Sequence, residues 1–302
     1  MKSIWNDRSI LGANLALLAA TLVGCSGALL DPSSDLESTV SGAASPQRSS
    51  AEVQDADTTD GSQAIPAGAR FVFIQREANG AYAIDELNAS GGTQNVAALD
   101  LGAARCDLHE LTAALTTPRT VAALGAIEGD TFVAVSVYRA LPGAAPAAGD
   151  SFYQAQLRRG GDVATSVNIG EATDIAQVDV SNVKVPFVDE TWLFARVLEA
   201  GAIAAGSLSA KSAALVVSTV YLPVPDDATC AVPVDTCGEG TVAMYARDPS
   251  RCLQLTGCTP RGMCPQFIPV CEPGYELSRW SSTPDGCAAS ACDPIFDPAP
   301  TQ

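Results

Sequence analysis

The feature that most constrains the fold of this chain is a cluster of cysteines near its C-terminal end. Eight of the ten cysteines fall in a segment that holds few aliphatic residues. They are Cys230, Cys237, Cys252, Cys258, Cys264, Cys271, Cys287 and Cys292. So short a segment has too little apolar surface to fold by burial alone, and cross-links can supply about 2 to 4 kcal/mol each. In an exported chain the even number predicts four disulfides, whose connectivity stays open.

The beginning of the chain has the pattern of an export signal. Lys2 and Arg8 precede a short apolar run at residues 10–23. The run ends in Leu22-Val23-Gly24-Cys25, which resembles the lipobox of bacterial lipoproteins. The resemblance implies a signal peptide at residues 1–24 and acylation of Cys25 as the first residue of the mature protein. An ordinary cleaved signal and an uncleaved anchor are the alternatives.

The resemblance also implies a location in the cell envelope. Ser26 follows the cysteine, rather than the Asp that is associated with inner-membrane retention, which favours the outer membrane. The partner expected first is therefore the lipid bilayer, through acylated Cys25, and a second is an envelope or extracellular protein. The chain has 34 acidic and 17 basic residues and a net charge of −17, which argues against nucleic acid as a partner.

Changes in composition divide the rest of the chain into three parts. Residues 25–66 are rich in small and polar residues and predict a disordered tether. Residues 67–224 predict a β-rich domain, and residues 225–302 form the cysteine-rich module.

The β-rich domain is predicted from short apolar runs and turn signals. Asn79-Gly80 separates runs at 71–74 and 81–84 and predicts a hairpin. In residues 131–138, Val133, Val135 and Val137 would share one face, and Phe132 and Tyr138 the other. Residues 121–127 would pair with that strand, and residues 178–188, 192–198 and 215–222 would add further strands, with a bulge or turn at Ser181-Asn182.

One short helix is predicted within this domain. Asp107 precedes Leu108, Leu111 and Leu115, and Glu110 stands three residues beyond it, as in a capping box. The fold expected is a β-sandwich or partly closed barrel of about eight strands with one short helix, followed by a small disulfide-rich module.

The cysteine-rich end carries a family resemblance of its own. Cys264, Cys271, Gly274-Tyr275, Asp285-Gly286-Cys287 and Cys292 resemble the antistasin-type inhibitor repeat over about 30 residues, although the final cysteines are more widely spaced. The resemblance implies a protease inhibitor. Independently of it, Arg261 stands in a short segment flanked by Cys258 and Cys264, and Pro260 favours an extended backbone, so Arg261 is the residue that would enter a trypsin-like pocket. As a whole the layout is similar to uncharacterised cysteine-tailed lipoproteins of diderm bacteria.

The residues offer no recognisable catalytic constellation. The one histidine, His109, has no Gly-x-Ser-x-Gly nucleophile to pair with, and no phosphate-binding loop or Cys-x-x-Cys metal pair occurs, so no cofactor or metal is expected. Cys106 lies before the helix cap, where a thiol is either activated or buried against the sheet. The leading expectation is an envelope-anchored lipoprotein with a non-enzymatic binding or structural role. The alternatives are an inhibitor of trypsin-like proteases and an enzyme of unrecognised type.

Overall fold

The computed structural model describes residues 65–159, 161–199, 201–224, 230–264, 267–282 and 286–296. The proposed signal peptide, the lipobox with Cys25 and nearly all of the proposed tether lie outside these residues. The described chain is mostly β, as expected, and its strands pair mainly antiparallel. No helix in the described ranges is long and apolar enough to cross a membrane.

The β-rich region consists of two consecutive halves. The elements of the first half are β1 (Arg70–Arg76), β2 (Tyr82–Glu86), β3 (Gln94–Val96), β4 (Ala98–Asp100), α1 (Leu108–Leu115), β5 (Val121–Glu128) and β6 (Thr131–Ala140). Those of the second half are β7 (Ser151–Gln156), β8 (Asp162–Ser166), β9 (Ala172–Ile175), β10 (Gln177–Asp179), α2 (Glu190–Leu198), β11 (Ile203–Ser209) and β12 (Ala214–Val224).

The two halves repeat one arrangement in the same chain order. In the first, β2 and β5 flank β1, β6 pairs with β5, and β4 runs parallel to β6. In the second, β8 and β11 flank β7, β12 pairs with β11, and β10 runs parallel to β12. The halves meet where β6 pairs with β12, with Tyr138 opposite Pro223 and Tyr221 opposite Ala140. The described chain therefore contains a structural duplication about an approximate two-fold axis between β6 and β12.

The two halves belong to one continuous twelve-stranded sheet, which is not a closed barrel and has more strands than the eight or so predicted. Only Ala97 separates β3, which pairs with β2, from β4, which pairs with β6. Ala176 has the same place between β9 and β10. The chain thus passes from one edge of the curled sheet to the other, and the interior of each half holds its own apolar cluster.

Both halves carry a glycine at the same irregularity of the sheet. The register shifts between Leu124 and Gly125 in β5 and between Ala205 and Gly206 in β11. A Cβ at either glycine would overlap the carbonyl oxygen of the facing strand. Backbone therefore approaches backbone at these bulges, and only glycine fits there.

A third apolar cluster joins the halves, and two asparagines lock it. Phe73, Tyr138, Phe152 and Tyr221 are among its buried members. Asn88, which follows β2, donates to the carbonyl oxygens of Phe152 (2.7 Å) and Val167 (3.1 Å) in the second half. Asn168, which follows β8, donates to those of Phe71 (2.7 Å) and Leu87 (2.9 Å) in the first.

This reciprocal pair, the asparagine clamp of Asn88 and Asn168, also accepts bonds across the interface. The Oδ1 atoms receive the backbone N–H groups of Phe152 (2.8 Å) and Phe71 (2.7 Å) respectively. Both asparagines adopt positive φ, 56° and 64°, a conformation that Asn tolerates better than most residues. Each clamp residue thus satisfies buried backbone groups that belong to the opposite half.

The structure corrects three expectations for the β-rich region. Two helices are described rather than one, because residues predicted as a strand at 192–198 form α2, capped by Asp189. The predicted alternation of side chains along β6 is also wrong. Phe132 and Tyr138 were expected on the same face, but the bulge facing Gly125 places Phe132 with Val137 in one apolar cluster and Tyr138 in another. Ser181-Asn182 forms the predicted turn, but the residues after it lie outside any strand.

The hairpin and cap predictions are confirmed. β1 and β2 pair across Asn79-Gly80, with Gly80 at φ 89°. Asp107 caps α1 through a bond from the backbone N–H of His109 (2.8 Å). Leu111 and Leu115 are buried on the inner face of that helix, as the leucine spacing predicted.

The cysteine-rich module is built from two hairpins. Its strands are β13 (Thr241–Arg247), β14 (Leu253–Pro260), β15 (Tyr275–Ser282) and β16 (Cys287–Pro294). β13 pairs with β14, and β15 pairs with β16. The module shares a core with the second half, since Tyr275 and Cys292 lie in the same cluster as Trp192 and Leu215.

Candidate binding groove and the predicted site residues

The eight clustered cysteines form four disulfides among the described residues, and these repeat one connectivity. In the first hairpin Cys230 pairs with Cys252, and Cys237 with Cys258. In the second, Cys264 pairs with Cys287, and Cys271 with Cys292. Each hairpin is therefore closed by its own two bridges, in first-to-third and second-to-fourth order. The sequence signal for this duplication is the pair of Cys-x6-Cys segments that open the two hairpins.

Arg261 lies between the hairpins rather than within a disulfide loop. It follows directly after β14, and residues 261–264 are exposed and outside regular secondary structure. Cys258 and Cys264, which flank it in sequence, belong to different hairpins. The connectivity that the sequence left open therefore does not close a disulfide loop around this arginine.

Cys106 and His109 lie close together at the start of α1 and differ in environment. Cys106 is half-buried against the first apolar cluster. Burial raises the pKa of its thiol, Glu110 and Asp107 raise it further, and Arg139 acts in the opposite direction. Its place before the cap corresponds to that of Val188, which packs against the cluster of the second half. These observations favour the burial interpretation of Cys106. His109 is exposed, and its backbone rather than its ring serves the cap.

A buried ionic cluster joins the module to α2. The guanidinium of Arg247 donates to both carboxylate oxygens of Asp293 (2.9 and 3.1 Å) and lies 3.6 Å from Asp189. Arg251 lies 3.5 Å from the same Asp293, and Ser278 donates to it as well. The side chains of Arg247, Arg251 and Asp293 are 3%, 1% and 0% exposed, so the charges compensate each other away from water.

Two tryptophans enclose this ionic cluster. The guanidinium of Arg251 lies over the ring of Trp192 (4.6 Å), and that of Arg247 over the ring of Trp280 (4.7 Å). Trp192 belongs to α2 and Trp280 to β15, so the cations are held between the β-rich region and the module. Sequence reasoning missed these residues, because the partners are far apart along the chain and each one alone is an ordinary charged or aromatic residue.

A groove runs along the junction of the same two regions. It consists of two adjoining cavities of about 490 and 540 Å³, which share Gly143 and Lys184. Lys184 is exposed, and the loop after β6 and the start of the second hairpin form the walls. The other lining residues that carry polar groups are Asp150, Asn182, Ser207, Ser218, Glu272 and Tyr275.

The groove is held in shape by hydrogen bonds of its own walls. Asp150 accepts from the backbone N–H of Ala147 (2.7 Å) and from the hydroxyl of Ser218. The hydroxyl of Tyr275 donates to the carbonyl oxygen of Pro142 (2.9 Å), and burial raises the pKa of this tyrosine. A preformed cleft with one cationic and two anionic side chains suits a ligand that carries both polar and charged groups. Among the described residues, no group of three or more His, Cys, Asp and Glu is placed to hold a metal ion.

Comparison with known proteins adds little to this geometry. No family model matches the chain, and no solved structure matches it. A relative with 35% identity over 116 residues is an uncharacterized protein of Dictyostelium discoideum. The match covers 37% of this chain and 40% of that protein, so the chain spans well under half of the relative's length.

Proposed function

We propose that this protein is an exported, lipid-anchored protein with a non-enzymatic binding or structural role. Its anchor would be acylated Cys25, at the end of the lipobox-like Leu22-Val23-Gly24-Cys25. A single acyl-anchored cysteine tethers a folded domain to a bilayer with about 0.8 kcal/mol for each buried methylene. Residues 26–64 would separate the folded part from the membrane, in the envelope of a diderm cell and at its outer membrane.

The observation that carries this proposal is the set of four disulfides. Structural disulfides form and persist in oxidising compartments and are rare in the cytosol. All eight clustered cysteines are paired within their own hairpins, and Cys271 and Cys292 reach the core of the second half. The four disulfides therefore support export to an oxidising compartment.

The groove supports the binding role within that proposal. It lies at the junction of the module and the second half, and its walls are fixed by the bonds of Asp150 and Tyr275. A preformed cleft binds with little loss of conformational entropy. The partner expected is an envelope or extracellular protein that presents an extended segment with charged groups to Lys184 and Glu272.

A pull-down from envelope extract tests the binding role. The baits are the wild-type mature chain and two groove variants, Lys184→Glu and Glu272→Lys. A third variant, Lys211→Glu, controls for the change of charge, since Lys211 is exposed outside the groove. We expect a partner that the wild type and the control retain and that both groove variants lose. A partner that all four baits retain equally would contradict binding in the groove. If the wild-type bait retains no partner, the result would favour the structural role.

The inhibitor hypothesis has one observation in its favour and one against it. Arg261 is exposed and follows an extended strand, as an inhibitory loop requires. However, inhibitors keep the cleaved ends in place by holding the loop rigid, and the flanking Cys258 and Cys264 lie in separate cross-linked hairpins. The hypothesis stays a prediction, which a titration of trypsin activity with wild type and Arg261→Ala checks.

A further inference from the structure

The segment between the two cysteine hairpins has the features of a protease substrate. Residues 261–264 are exposed and lie outside regular structure, and Met263 is completely exposed. Exposed connecting segments are preferred sites of proteolytic nicking. Arg261 supplies the cationic side chain that trypsin-like proteases select with an acidic pocket.

The backbone leading to Arg261 is already extended. β14 ends at Pro260, and its pairing runs along β13 from Leu253 to Pro260. Among the described residues, no strand pairs with the other edge of β14. A free edge can accept a further extended segment by main-chain hydrogen bonds, which is one way for one protein to dock on another.

Other exposed basic residues on the described turns lack this geometry. Arg105 and Arg119 adopt positive φ, 52° and 58°, which is incompatible with an extended main chain. Lys211 lies in the short turn between β11 and β12, whose strands pair up to Ser209 and Ala214.

Arg158 and Arg159 are exposed too, but the backbone N–H of Gly161 bonds back to the carbonyl oxygen of Arg158 (3.2 Å) and closes a turn. Exposed Lys184 is the central residue of a turn in which the N–H of Val185 bonds to the carbonyl oxygen of Val183 (2.8 Å). Arg261 differs from these residues because it directly follows an extended strand.

We propose that the Arg261–Gly262 peptide bond is a site of limited proteolysis by a protease of trypsin-like specificity. In the reaction, water adds across the amide bond, its carbon–nitrogen bond breaks, Arg261 gains a terminal carboxylate and Gly262 a terminal amine. The inference goes beyond the proposed anchor and binding role and does not depend on acylation of Cys25.

The disulfide pattern determines what this cleavage does. Cys230–Cys252 and Cys237–Cys258 lie before the bond, and Cys264–Cys287 and Cys271–Cys292 lie after it. Because none of these four bridges spans the bond, hydrolysis divides the chain into two covalently separate pieces. Each piece keeps a hairpin closed by two disulfides.

Non-covalent contacts hold the second hairpin in place after the cut. Asp293 bonds to Arg247 of the first hairpin, and the hydroxyl of Tyr275 bonds to Pro142 (2.9 Å). The backbone N–H of Cys292 donates to the carbonyl oxygen of Phe187 (2.8 Å). After cleavage, only these non-covalent contacts hold the second hairpin, which can therefore be released when they break.

Brief digestion of the mature chain with a low concentration of trypsin tests the proposal. Fragments are separated under denaturing conditions without reductant and identified by intact mass. Arg261→Gln is the test variant, and Lys211→Gln is the control because its residue is exposed on a tight turn.

We expect the first cut within residues 65–296 to fall after Arg261 and to free a fragment from Gly262 to Gln302 without reduction. Arg261→Gln should slow release of this fragment at least about tenfold, and Lys211→Gln should leave its rate unchanged. A first cut elsewhere in that range would overturn the proposal. Trypsin inhibition with the Arg261–Gly262 bond intact would also overturn it, in favour of the inhibitor hypothesis.

Discussion

The asparagine clamp of Asn88 and Asn168 provides a sharp test of the duplicated fold. Asn168→Gly removes three hydrogen bonds to the first half, of 2.7, 2.7 and 2.9 Å, while glycine still accepts the observed φ of 64°. At about 1 kcal/mol net for each bond, and about 0.5 to 1 kcal/mol for the added freedom of the unfolded chain, the free energy of unfolding should fall by about 3 to 4 kcal/mol. Asn168→Ala should cost about 4 to 5 kcal/mol, because alanine is strained by about 1 to 2 kcal/mol at this φ although it avoids the added freedom of glycine.

Urea denaturation of the mature chain, followed by tryptophan fluorescence, measures these changes. Buried Trp192 is the reporter within the second half. The control is Asn182→Gly, since Asn182 is exposed on a turn and its φ is not positive. We expect a lower midpoint with little change in the denaturant slope for Asn168→Gly, and a loss below about 1 kcal/mol for the control. Equal losses for the two variants would refute the reasoning that the clamp joins the halves.

Three further predictions concern the module and the free thiol. Asp293→Asn removes the carboxylate between two buried guanidiniums and should cost about 3 to 5 kcal/mol in urea unfolding. The control Asp174→Asn, at an exposed carboxylate of β9, should cost less than about 1 kcal/mol, and a similarly small cost for Asp293→Asn would contradict the ionic cluster. Because the module shares a core with the second half, calorimetry should show reductant shifting the main transition of the β-rich region, and a module transition that moves alone would contradict this sharing. Thiol labelling of Cys106 in the native protein should be slow at neutral pH and accelerate in alkaline solution, since burial raises the pKa of the thiol. Rapid labelling at neutral pH would refute burial.

Local signals in the sequence predicted the elements that depend on neighbouring residues. Asn79-Gly80 predicted the β1–β2 hairpin, because a tight turn needs a residue at positive φ. Asp107 and its leucine spacing predicted α1. Both elements follow from residues that are close together in the chain.

The second helix escaped prediction because it is buried on most of its sides. Trp192, Leu193, Val197 and Leu198 are all buried, and periodicity alone does not distinguish a short buried apolar helix from a buried strand. The missed signal was Asp189, which caps α2 as Asp107 caps α1. Alignment of the two halves would have revealed it.

Long-range contacts escaped prediction for a different reason. The asparagine clamp, the ionic cluster around Asp293 and the groove each join residues that are distant in sequence, and no local pattern reveals such a partner. The disulfide connectivity had the same difficulty, since eight cysteines permit about 105 pairings. The repeated Cys-x6-Cys spacing reduces these alternatives once it is recognised as a duplication.

The most direct test of the proposed lipid anchor is the chemical state of Cys25 in the mature protein. Metabolic labelling with palmitate, followed by mass analysis of the N-terminal peptide, should find an acylated Cys25 as the first residue. The label should disappear in Cys25→Ala, while Cys106→Ala, the control for a second cysteine outside the disulfides, should keep it. Label that persists in Cys25→Ala, or a mature protein with an unmodified Cys25, would contradict the anchor.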